Sequence, residues 1–130
     1  ARTLGKPDFV EVTTEDLEPT AIFLKFLDDA ARSVCGKIIT RETAPDAEGN
    51  VFFVHAAPTD TVTRNPAAVD RNLSHLMLRF HGRRVPPDST QLENWRWLMR
   101  SVEFVNPQQP VEAWRATCVA LMTHPDFYSY

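Results

Sequence analysis

Apolar residues recur at steps of three and four along most of this chain, a spacing that predicts amphipathic helices separated by proline- and glycine-marked breaks. The first such stripe is Phe23, Phe26, Leu27, Ala30, Ala31, Val34, Cys35 and Ile38, with Lys25, Asp28, Asp29 and Arg32 on the other face. Thr13 and Thr14 offer N-caps for it, and Glu15 and Asp16 suit the first turn. Gly36 either ends this helix or is tolerated inside it. A second stripe, Val69, Leu73, Leu76, Met77 and Phe80, follows Asn65-Pro66 and stops at Gly82, where a C-terminal glycine belongs. A third, Leu92, Trp95, Leu98, Met99 and Val102, lies between Asp88-Ser89-Thr90 and the break at Asn106-Pro107. A fourth starts near Pro110, carries Val111, Trp114, Cys118, Leu121 and Met122, and stops before Pro125, since the residue preceding a proline avoids the α region.

Two stretches fit no helix pattern. Residues 1–12 read as an extended arm. Residues 41–64 form a long polar connection with turn signals at Pro45, Asp46 and Gly49-Asn50. Inside it Val51-Phe52-Phe53-Val54 is a short apolar run, either a lone strand or a plug that packs into the bundle. Connections of this length are uncommon in compact domains and are often functional. The expectation is one all-α domain over 1–130: a three- to four-helix bundle with a long irregular loop (41–64) between the first two main helices. The tail Asp126-Phe127-Tyr128-Ser129-Tyr130 is expected to fold back onto the core.

Composition narrows the function classes. The apolar fraction of 43% and charged fraction of 24% are those of ordinary globular proteins. A net charge of −3 argues against a general nucleic-acid binder, which needs a basic face to displace counterions, and against an anionic membrane surface. No stretch approaches the roughly 20 apolar residues of a membrane span, so no insertion is expected. The chain begins Ala1-Arg2-Thr3 without a Met, as a processed or excised piece would.

The chemistry-bearing residues form no recognised pattern. None of the four histidines, His55, His75, His81 and His124, pairs at the spacing of HExxH, and no supporting Cys or acidic pattern points to zinc; no metal site and no cofactor are expected. A noncovalent haem with Met77, Met99 or Met122 as an axial ligand is conceivable, although methionine at helical spacing is commonly core filler. GxSxG, GxGxxG and Walker A patterns are missing. Cys118 with His124 is a conceivable nucleophile–base pair, but it needs a reactive thiol. Cys35 and Cys118 stand 83 positions apart, so they form no local CxxC motif. They are either two buried thiols or one long-range disulfide, the latter implying export.

The best local sign of a partner lies among arginines and aromatics. Arg79, Arg83 and Arg84 cluster where the second helix ends, either complementing the helix dipole or contacting a small anion or carboxylate. Trp97 stands two positions after the core-facing Trp95 and so points elsewhere, half exposed or at an interface. Exposed Trp and Arg are the types most enriched in binding hot spots. Candidate partner-binding residues are Trp97, Arg83, Arg84, Phe127, Tyr128 and Tyr130.

The stretch Leu78-Arg79-Phe80-His81-Gly82-Arg83-Arg84-Val85-Pro86, a following helix, and the terminal Ala113-Trp114-Arg115-Ala116-Thr117-Cys118-Val119-Ala120-Leu121-Met122-Thr123-His124-Pro125-Asp126-Phe127 resemble the helical domains of unknown function in large exported proteins of planctomycetes and myxobacteria. Those proteins often carry cytochrome c domains elsewhere in the chain. The resemblance spans residues 65–130. It implies a periplasmic or extracellular setting, which favours the Cys35–Cys118 bridge, and assigns no catalytic residue. The expected function is a non-catalytic interaction or structural module that docks to a protein partner or to other domains of a larger exported chain. A redox accessory supporting a cytochrome or holding noncovalent haem, and a small Cys/His hydrolase, are the alternatives.

Overall fold

Proline and glycine positions divide the chain into helices close to those the periodicity predicts. The computed structural model describes residues 14–128; the proposed extended arm and Tyr130 lie outside them, as does the side chain of Tyr128. Helix α1 spans Thr14–Glu42 and α2 spans Pro66–Leu76, continued by one π-helical turn, Met77–His81. A 3-10 turn, Thr90–Leu92, leads into α3, Glu93–Val105; α4 covers Val111–Thr123 and the short α5 Pro125–Tyr128. All the regular structure among the described residues is helical.

Helix α4 is the centre of the bundle: α1 and α3 both pack on it, and the π-turn and α5 cover its far end. Its inward residues Ala113, Trp114, Cys118 and Leu121 are buried among Leu73, Leu76, Leu92 and Met99. Gly82 ends the π-turn with φ +68°, the left-handed conformation that a β-carbon disfavours, and its N–H donates to the Leu78 carbonyl. Ser89 caps the 3-10 turn by accepting from Gln91 N–H.

The first helix departs from its predicted pattern. Gly36 is carried inside it, and among its residues of described burial, 21–42, only Ala31, Cys35, Ile39 and Glu42 are buried. Between Ala21 and Ala30 nothing is buried, and Ile22, Leu24 and Phe26 are exposed, as is Val34 beyond them. The reason is length. At about 1.5 Å per residue the partner helix α4 is less than half as long as α1, so it covers only the second half.

The 41–64 connection has no regular structure beyond the end of α1, yet it is tightly held. Phe52 and Phe53 are the plug: both are buried and pack edge-on against Trp114, with Phe80 against Phe52. Burying that backbone requires partners for its polar groups. The carboxylate of Glu42 accepts from the N–H of Val51 at 2.9 Å and of Phe53 at 2.9 Å, and from that of Phe52. Asn72 accepts from the N–H groups of Val54 and His55 and donates to the Phe52 carbonyl. His75 Nε2 donates to the Val51 carbonyl, and Glu103 accepts from Val62 N–H. Trp114 Nε1 donates to the Asp60 carbonyl. Five side chains from four helices thus clamp one loop.

Candidate functional site

Helix α3 presents two opposed faces because its side chains advance about 100° per residue. One face packs inward through Met99, with Trp95 and Val102 partly buried against the core. Arg96 anchors this side: its guanidinium reaches Asp70 on α2 at 3.1 Å, Glu93 and the Ser89 carbonyl. The other face carries Trp97 and, seven positions on, Phe104, which are 64% and 87% exposed. Seven residues is almost two full turns, so the two rings lie along one line with Arg100 between them. The sequence singles out Trp97; Phe104 and the exposed Val105 were missed because they resemble the end of the core stripe.

Among the described side chains, the other predicted partner residues, Arg83, Arg84 and Phe127, do not join that face. Arg83 pairs with Asp126 at 2.9 Å, and Phe127 packs against Phe80 with ring centres 6.1 Å apart. The tail therefore folds back onto the core as far as it is described. Arg84 is exposed beside a shallow recess of about 260 Å³ lined by Ser74, Leu78, Val85 and Pro86.

Cys35 and Cys118 are bonded to each other, with Cα atoms 5.9 Å apart and both residues fully buried. This resolves the two readings of the cysteines in favour of the bridge. It also removes the nucleophile of the Cys118–His124 pair, since a disulfide sulfur has no thiolate to offer. Met77 and Met99 are packed within the core, where a thioether fills space, and the Met122 sulfur lies 3.8 Å from Cys35 Sγ.

A second cluster forms where the π-turn meets the α4–α5 corner. His81, His124 and Asp126 each bring a metal-ligating type of atom to within 4.8 Å of the others. The His81 and His124 rings lie 4.9 Å apart, and Trp95 borders both at 5.9 and 6.1 Å. His81 is buried, and its Nε2 stands 2.9 Å from the Leu121 carbonyl. A carbonyl only accepts, so Nε2 carries the proton and Nδ1 keeps the lone pair. Burial pulls the His81 imidazole below its ordinary range, partly opposed by that carbonyl; the neighbouring His124 and Arg83 push the same way as burial, and Asp126 against it. His124 is exposed, and its Nδ1 accepts from Asp126 N–H at 3.0 Å. Spacing along the chain offers no sign of this cluster, because 43 residues separate the two histidines.

These features define a disulfide-locked helical bundle with an outward aromatic face on α3 and a histidine cluster at the α4–α5 corner. No protein-family profile, curated protein or solved structure matches the chain.

Proposed function

We propose that this chain is a non-catalytic helical module that docks, through the outer face of α3, to a protein partner within a larger exported assembly. The observation that carries the reading is the alignment of Trp97 and Phe104, two large aromatics left exposed on one face of a helix whose opposite face is anchored in the core. Aromatic side chains with an arginine between them are the composition of interface hot spots, and the rigid helix beneath them lowers the ordering cost of binding. The complementary surface is an apolar protein groove with a carboxylate for Arg100. Export is supported by the buried Cys35–Cys118 bridge, a bond that persists in oxidising compartments. No helix among the described residues is long and apolar enough to cross a membrane.

The test compares proteins that co-purify with the wild-type chain and with Trp97→Ala, Phe104→Ala and Phe26→Ala variants. Loss of the same partner in the two α3 variants, with retention in Phe26→Ala, is expected. Retention of every partner by both α3 variants overturns the reading.

A further inference from the structure

We propose that His81, His124 and Asp126 form a binding site for a borderline first-row divalent cation of the zinc type. The inference goes beyond the docking reading and stands on different residues. Two imidazoles and one carboxylate are the donor set zinc accepts, leaving a fourth position for water or another ligand.

Three features of the fold prepare the ligands. The first is the tautomer of His81. Its Nε2–H is committed to the Leu121 carbonyl, which orients the ring and leaves Nδ1 as the coordinating atom. A ligating histidine ordinarily has such a partner on its other nitrogen. The second is the π-turn Met77–His81, a widened helical turn of the kind found often at functional sites, which ends with His81 buried at the cluster. The third is access: His124 is exposed while His81 is buried, so the cluster is held from below and open from above.

The geometry is near to closure. Around a tetrahedral ion with bonds of about 2.1 Å, ligand atoms stand about 3.4 Å apart. One atom of a ligating type from each of the three residues lies within 4.8 Å of the others, so small side-chain rotations bring the donors to an ion. Two present contacts compete with it. Asp126 N–H holds His124 Nδ1 at 3.0 Å, and Arg83 Nε holds Asp126 Oδ2 at 2.9 Å. Metal entry exchanges the first contact for a coordinate bond and sets Arg83 aside. Arg83 is more than half exposed, so its release costs little.

The experiment uses the oxidised full chain, freed of metal by chelator and dialysed. Titration with Zn²⁺ in a calorimeter is expected to show saturable uptake of one equivalent. His124→Ala is expected to weaken uptake by at least about tenfold, and Asp126→Asn likewise. Arg83→Gln, which removes the competing cation, is expected to tighten it several-fold. Cu²⁺ in place of Zn²⁺ is expected to quench the emission of Trp95 with the same stoichiometry, a signal absent in Trp95→Phe. No saturable uptake, or uptake that is unchanged in both His124→Ala and Asp126→Asn, overturns the proposal. Neither result bears on the α3 face, whose test reads partner retention.

Discussion

Cys35 is bonded to Cys118, and the bridge is fully buried where α1 crosses α4. It spans a separation of 83 residues, from the second half of α1 to the middle of α4. In the chain-entropy view a loop of that size stabilises the folded state by about 4 kcal/mol, because the unfolded chain loses the freedom to separate its ends. The Cys35→Ala/Cys118→Ala double variant is therefore expected to melt well below the wild type. Reduction of the unfolded wild-type chain is expected to raise its intact mass by two hydrogen atoms, and an unchanged mass refutes the bridge.

Glu42 governs the long loop. It is a buried carboxylate whose charge is met by three backbone N–H groups at Val51, Phe52 and Phe53. Glu42→Ala leaves those donors without that partner, two of them on the buried Phe52 and Phe53, at about 1–3 kcal/mol for each donor that stays buried. Chemical denaturation is expected to show a loss of about 3 kcal/mol or more. Amide exchange should accelerate at residues 51–53 before it does in α4; equal protection in the variant and the wild type removes the clamp from the account.

The tryptophans separate packing from binding. Trp114 is fully buried, touches Phe52 and Phe53, and donates to Asp60. Trp114→Ala is expected to cost about 3–5 kcal/mol, as large core truncations do. Trp97→Ala is expected to shift stability by no more than about 0.5 kcal/mol. Denaturant melts of the two variants check the contrast, and comparable losses would place Trp97 in the core.

The His81 imidazole gives the folded state a pH dependence of defined sign. Burial lowers its pKa in the folded chain, so below the ordinary imidazole value the unfolded chain binds a proton that the folded one resists. Its contribution is present in full above about pH 6.5 and is lost as pH falls through the folded-state value. His124, Asp126, Arg83 and Trp95 are the groups around it. Melts in chelator-containing buffer from pH 8 to pH 5, as set by the ordinary imidazole range, are expected to show a fall that His81→Gln removes.

Much of the fold was legible because helix periodicity and proline punctuation are local signals. The breaks at Gly82, Asn106-Pro107 and Pro125 lie where the chain turns, and the stripes of α2, α3 and α4 face the core. The first stripe misled at Phe23, Phe26, Ala30 and Val34. Periodicity tells which residues share a face, but not whether another helix is long enough to cover it. The plug Phe52-Phe53 was visible as an apolar run, while its clamps were not: Glu42 and Asn72 look like ordinary helix-surface residues until their partners are placed. Of the candidate sites, Trp97 was legible from its position against Trp95. The histidine cluster was not, because its members meet only through packing of the π-turn against the α4–α5 corner.

The central place of α4 has a consequence for the order in which the molecule can be made. During synthesis α1 leaves the ribosome before its packing partner α4, with α2 and α3 made between them. Until Trp114 and Cys118 are available, Ala31, Cys35 and Ile39 lack the helix that α1 packs against. The nascent chain must then hold the apolar edge of α1 open until α4 has been made, a state that invites chaperone binding. Cys35 likewise waits for Cys118, so this bridge can complete the bundle but cannot begin it.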